Sequence, residues 1–376
     1  MKKAVILTQP LFVNYGGILQ NFALQKVLLK LNIESVTANR LGNIPSPVRR
    51  LFSRIKNETY NRITGNYKTR YTHKEISYFS KNARAFINKN INVSPDIHST
   101  EQLYNFIRGN YDFVIVGSDQ VWRPDISPEI FNYFLDFLQE EKEIKKIAYS
   151  ASFGKDSWEF TPEQTIICKN LVKQFDAVSV REESGVALCR DYLNIKAEHV
   201  LDPTMLLSKN DYLEVVDRKD FSNRGGIFTY ILDKTIEKRG FINKISQDLA
   251  MDVFTNQPTK DFYKETSKDL DELVYPPVED WIASFCKANF IITDSFHGTV
   301  FSILFNKPFL AVVNYDRGAS RFYSLLKKLN LESRLISDIN QFDTKILGEE
   351  INYEAVNKKL TEFKNESINF LKINLC

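Results

Sequence analysis

At 376 residues the chain is long enough for two domains of ordinary size, and its 43% hydrophobic and 26% charged residues are those of a soluble globular protein. A formal net charge of +3 is too small to make nucleic acid the main partner. Four scattered cysteines, Cys168, Cys189, Cys286 and Cys376, show no CxxC pair and no histidine at metal-ligand spacing, so neither a disulfide framework nor a bound metal is expected.

The first apolar run, residues 4–7, breaks at Thr8-Gln9-Pro10; it is too short for a signal peptide and predicts a buried strand. Further strands are predicted at 35–38, 113–116, 146–150, 177–180 and 199–201, and helices at 18–31, 74–88, 162–173 and 183–192. A second set follows, with strands at 226–231, 252–255, 290–293 and 309–313 and helices at 235–249, 278–287, 298–305 and 320–329. Alternating short strands and helices predict parallel sheets covered on both faces. The expected domains are residues 1–207 and 208–376, with the crossing near 202–209. A last helix at 354–372 puts Val356, Leu360, Phe363 and Phe370 on one face and fits either domain. No apolar run approaches the roughly twenty residues of a membrane span, so a cytoplasmic protein is expected. Residues 47–74 carry eight basic side chains against one acid, with Val48, Leu51, Phe52 and Ile55 at helical spacing. That pattern suits a solvated basic helix and also a peripheral contact with an anionic membrane face.

In open α/β sheets ligands bind beyond the carboxyl ends of strands. Asn14-Tyr15-Gly16-Gly17 follows the first strand, and two glycines there let backbone approach a ligand. Gly117-Ser118-Asp119-Gln120-Val121-Trp122 follows the strand at 113–116. It suits a sugar, with Trp122 stacking on C–H bonds and Asp119 and Gln120 holding hydroxyls; a turn with Trp122 in the core is the other reading. Arg181 ends an apolar run and has the fork geometry for a carboxylate or phosphate, unless it pairs locally with Glu182 or Glu183. His297, one of four histidines, sits where the strand at 290–293 turns into a helix. An unpaired helix start welcomes an anion, and a titratable imidazole beside it binds the anion or passes it a proton; capping a helix is the plainer reading.

Taken together, six segments resemble the polysaccharide pyruvyl transferase family. They are 14–25, opening Asn14-Tyr15-Gly16-Gly17; 116–122, ending Asp119-Gln120-Val121-Trp122; Ala148-Tyr149-Ser150-Ala151-Ser152-Phe153-Gly154; Ser179-Val180-Arg181-Glu182-Glu183-Ser184-Gly185; Val200-Leu201-Asp202-Pro203-Thr204; and Thr293-Asp294-Ser295-Phe296-His297-Gly298-Thr299. They occur in the family's order over most of the chain. The resemblance implies an α/β fold of two Rossmann-like domains facing across a cleft, a GT-B-like arrangement. It implies transfer of the enolpyruvyl group of phosphoenolpyruvate, a substrate and not a cofactor, to a sugar diol of a bacterial surface polysaccharide or its lipid-linked precursor. A pyruvate ketal and phosphate result.

On this resemblance the first domain, which also carries Arg181, takes the acceptor through Asn14, Tyr15, Gly16, Gly17, Asp119, Gln120 and Trp122. The second takes the donor through Ser295, His297, Gly298, Thr299, Arg317 and Arg321. Many members carry Arg two residues before the motif histidine, where this chain has Ser295; Arg317 or Arg321 is expected to supply that cation. His297 is then the candidate acid or phosphate ligand, and Asp119 or Asp294 the group that orients or deprotonates the acceptor hydroxyl. Two other readings share the architecture: a nucleotide-sugar glycosyltransferase, and a glycan-binding relative without catalysis. Acceptor sugar, ketal stereochemistry and oligomeric state carry no signal in the sequence.

Overall fold

Runs such as Ala4-Val5-Ile6-Leu7 and Phe113-Val114-Ile115-Val116 are apolar on both faces, so they are stable only as strands covered from both sides. The computed structural model, which describes residues 1–43, 71–216, 225–262, 265, 267–315 and 317–376, meets that demand with two sheets. The first contains β1 (Lys2–Leu7), β2 (Ile33–Arg40), β3 (Val93–Ile97), β4 (Phe113–Gly117), β5 (Lys145–Ala151), β6 (Ala177–Val180) and β7 (Glu198–His199). The second contains β8 (Ile227–Tyr230), β9 (Val253–Thr255), β10 (Phe290–Thr293), β11 (Phe309–Val312) and β12 (Leu335–Ile336). Their orders are β3-β2-β1-β4-β5-β6-β7 and β12-β11-β10-β8-β9, and the pairings are parallel. The architecture is the expected GT-B-like pair of Rossmann-type sheets.

Those orders place a topological switch point in each sheet. The chain leaves β1 in opposite directions to reach β2 and β4, and leaves β8 in opposite directions to reach β9 and β10. Crevices open at such points beyond the strand ends. Asp119 follows β4 and His297 follows β10, so each lies at its sheet's switch point.

A continuous apolar core joins the lobes. Helix Tyr15–Lys30 sends Phe22 against Tyr212, which packs on Phe301 with ring centroids 4.8 Å apart; Phe301 in turn meets Trp281. The last helix, Tyr353–Leu375, straddles both lobes. Tyr353 donates its hydroxyl to the carbonyl of Lys307 in the second lobe (2.5 Å). Further along, Ser367 accepts from the amide of Leu201 (2.9 Å), and Phe370 packs on Tyr149 in the first.

Several elements differ from expectation. The helix expected at 74–88 is two helices, His73–Phe79 and Lys81–Asn90, broken at Ser80, whose hydroxyl bonds back to the carbonyl of Ile76. β3 was not anticipated, because Pro95 interrupts its pattern; as an edge strand it tolerates the missing donor. Helix Thr100–Ile107, capped by Ser99, and the two-residue β12 were also not anticipated. Of the basic segment 47–74, every basic residue except Lys74 lies outside the described residues. No helix of the described residues is long and apolar enough to cross a membrane.

Candidate active site

The first lobe assembles its part of the site from four neighbouring strand ends. Arg181 leaves β6 with its amide bonded to the carbonyl of Ala151 (3.1 Å) and its side chain almost wholly buried. Nη1 donates to Oδ2 of Asp202 at 2.9 Å, and Nη2 lies 3.8 Å from Oδ1 of Asp119. Asp202 also accepts from the Ser118 hydroxyl on Oδ2, and from the amide and hydroxyl of Thr204 on Oδ1. Burial alone would raise the Asp202 carboxyl. Contact with His297, the charge of Arg181 and the Thr204 bond outweigh it and hold the group well below the usual carboxylate range. Burial likewise disfavours the Arg181 charge, and Asp202 and Asp119 more than restore it. Asp119 itself sits at φ +64°, a left-handed conformation unusual for a residue other than glycine and concentrated at functional positions.

The second lobe contributes His297 and Arg321. Ser295 caps helix Phe296–Leu304 by accepting from the amide of Gly298, and the imidazole of His297 then points back into the first lobe. It lies directly against Gly16: a Cβ on that glycine would overlap the ring. Nε2 of His297 is 3.6 Å from Oδ2 of Asp202. The ring of Phe296 lies beside two guanidinium groups, 4.9 Å from Arg181 and 5.6 Å from Arg321. Arg321, on helix Ser320–Leu329, donates through Nη2 to the carbonyl of Arg317. Burial, then the like charge of Arg181, pushes Arg321 down to about 10, which leaves it charged at neutral pH.

Four buried nitrogen atoms of this cluster have no hydrogen-bond partner among the described residues: Nε and Nη2 of Arg181, Nε of Arg321 and Nε2 of His297. An unsatisfied buried polar atom costs about 1–3 kcal/mol, so several side by side call for an explanation. An anion with several acceptor oxygens is the kind of ligand that would take bonds from such donors. The lobes also touch through bare, buried backbone: Gly318, at φ +93°, stands so close to the carbonyl of Gly154 that a Cβ would overlap it.

The structure thus brings together Arg181, His297, Arg321 and Asp119, with Gly16 against the imidazole. Asn14 and Asp119 both lie beside Gly17. Other expected site residues are placed differently. Trp122 is fully buried, stacked on Phe134 at 5.1 Å, with its indole N–H given to the carbonyl of Tyr133; it is a core residue and not a sugar platform. Tyr15 is also buried, its hydroxyl on the carbonyl of Pro276 and its ring against Trp281, so it ties the lobes together instead of meeting an acceptor. The Gln120 carbonyl oxygen accepts from Arg123. The Ser295 hydroxyl is occupied as a cap, Gly298 packs against Thr293, and the Thr299 hydroxyl bonds back to the carbonyl of Ser295. These three build the helix start that aims His297. Arg317 is engaged with Asp233 (3.0 Å), and Asp294 accepts from the amides of Leu232 and Asp233 and from Lys238, which leaves it no free role as a base.

Asp202 and Phe296 also belong to the site, although sequence reasoning assigns neither a role. Asp202 had a signal: an acid between Val200-Leu201 and Pro203 in an otherwise apolar stretch must be buried with partners. Phe296 had none, because its place beside two arginines depends on three separate elements meeting.

The polysaccharide pyruvyl transferase family model matches residues 14–317. A comparison with curated proteins finds no match. Among solved structures, the UDP-GlcNAc 2-epimerase of Methanocaldococcus jannaschii, in complex with UDP-GlcNAc and UDP, aligns with a TM-score of 0.52 at 13% identity, covering 99% of each chain. MurG of Acinetobacter baumannii aligns at 0.45 and 10% identity, over 100% of this chain and 99% of its own. At 13% identity the likeness to the epimerase is one of fold.

Proposed function

This chain belongs to the polysaccharide pyruvyl transferase family, and on that premise we propose that it moves the enolpyruvyl group of phosphoenolpyruvate onto a sugar diol, forming a pyruvate ketal and releasing phosphate. The observation that carries this reading is the buried set of guanidinium and imidazole nitrogens, drawn from both lobes, that make no hydrogen bond among the described residues. Phosphoenolpyruvate has a phosphate and a carboxylate on one small carbon frame. Arg181 with His297 suits one end and Arg321 the other, so Arg321 serves where Ser295 replaces the family's arginine. His297, steadied by Asp202 and backed by Gly16, holds the phosphate and protonates it as it departs. Asp119, beside Asn14 at the glycine-rich helix start, orients the acceptor hydroxyl. The acceptor is a surface glycan or its lipid-linked precursor, with a galactose- or mannose-type diol the suitable chemistry.

The test is phosphorus NMR of phosphoenolpyruvate incubated with a panel of methyl galactosides, methyl mannosides and lipid-linked oligosaccharides. Inorganic phosphate is expected only when a diol acceptor is present, and His297→Ala is expected to slow its release by about a hundredfold. Release of UDP or GDP from nucleotide sugars, with phosphoenolpyruvate untouched, would replace this reading with glycosyl transfer.

A further inference from the structure

Glu182 follows Arg181 and has no part in the roles above. Its side chain is fully buried. One carboxyl oxygen, Oε1, accepts from the Ser152 hydroxyl (3.0 Å) and the Phe153 amide (2.8 Å); the other, Oε2, has no partner among the described residues. Arg181 and Arg321 lie near enough to act on it electrostatically, yet neither forms an ion pair with it. An unpaired acceptor and unpaired guanidinium nitrogens therefore lie close without meeting.

We propose that Glu182 is a catalytic acid of the transfer, giving its carboxyl proton to C3 of the enolpyruvyl donor; this rests on the function proposed above. The bonding pattern is that of a neutral carboxyl: a carbonyl oxygen taking two hydrogen bonds, and a second oxygen free to carry the proton. Burial raises Glu182 above the ordinary carboxylate range, while Arg181, Arg321, Ser152 and Phe153 pull the other way without cancelling it. Asp202, on the far side of Arg181, is pushed in the opposite direction and stays ionised. Two carboxyls driven apart in this way divide acid and charge-stabilising roles between them.

The step balances. The O–H bond of Glu182 breaks, and the C2–C3 π electrons form the new C–H bond, turning methylene into methyl and leaving C2 electron-poor. An acceptor hydroxyl oxygen bonds to C2 and returns its proton to the Glu182 carboxylate. The C2–O bond to phosphate then breaks with its electron pair going to phosphate. The second hydroxyl adds at C2, and its proton leaves on phosphate through His297.

Glu182→Gln tests this with the panel acceptor that gives the fastest phosphate release, because the amide oxygen can keep both hydrogen bonds while the proton is gone. We expect kcat to fall by about a hundredfold or more with KM for phosphoenolpyruvate changed less than about threefold. The groups facing Glu182 are Arg181 at the same strand end, Arg321 on helix Ser320–Leu329 and the thiol of Cys189. An acid must be protonated to act, so wild-type kcat falls on the alkaline side, and that limb is absent from the residual rate of E182Q. Glu182→Asp, which withdraws the acid by one methylene, also loses kcat and keeps KM, and it serves if E182Q does not fold. Wild-type kcat in either variant, or a loss confined to KM, overturns the role of Glu182 alone. A wild-type protein that releases no phosphate with any acceptor overturns the function as well.

Discussion

The two lobes present strand ends to one crevice but treat polar side chains there differently. In the second lobe most are paired within the lobe: Asp294 with Lys238 and two amides, Asp233 with Arg317 and Asn314, Ser295 with its own helix. In the first, Arg181 is braced by Asp202 and lies 3.8 Å from Asp119, yet its Nε and Nη2 make no hydrogen bond among the described residues, a condition that in the second lobe only His297 and Arg321 of this cluster share. Pairing fixes structure; an incomplete buried set costs stability and persists where a ligand completes it. A polar residue at a strand end is therefore a weak sign of function, and incompleteness is the stronger one.

Four variants would break or sharpen this distinction. The largest effect is expected from the packed aromatic at the end of β4. Trp122→Ala should lower unfolding free energy by about 3–5 kcal/mol in urea titration while the folded fraction keeps its acceptor KM. A loss below about 1 kcal/mol with a raised acceptor KM would return Trp122 to the crevice. Next come the two arginines that follow β11. Arg321→Ala, which removes an unpaired buried cation, is expected to weaken donor binding about a hundredfold by calorimetry. Arg317→Ala removes a pair that is 44% exposed at the arginine and should change it by about threefold or less. Equal effects would erase the contrast between paired and unpaired groups.

The smallest effect concerns His199, whose Nε2 lies 3.2 Å from the carbonyl of Arg181 and whose Nδ1 lies 3.5 Å from Lys328. Burial, then the Lys328 charge, pushes this imidazole down from 6.5 to about 4. The unfolded chain thus takes up the proton first as pH falls. The stability His199 contributes is complete above about pH 6.5 and drains away toward about pH 4, by about 2 kcal/mol. Denaturation at pH 7 and pH 4.5 should show that loss in the wild type and not in His199→Gln; parallel behaviour would count against it.

Much of the fold was legible because buried parallel strands write themselves as continuous apolar runs. The runs at 177–180 and 290–293 match β6 and β10 residue for residue. β3 was hidden because its exposed edge position allows Pro95 and Asp96, and β12 because two residues carry no period. Strand ends and glycines gave the neighbourhood of the site. They did not say which way a side chain turns, and so Trp122 and Tyr15, sugar-binding types by chemistry, went inward to cores that only the tertiary fold supplies.

Gly154 and Gly318 meet backbone to backbone between the lobes. A contact made of peptide groups alone has no rotamer to adjust, so it fixes the spacing of the two lobes at that point. A side chain at position 318 would act as a wedge there, moving Arg321 and the imidazole of His297 away from Arg181.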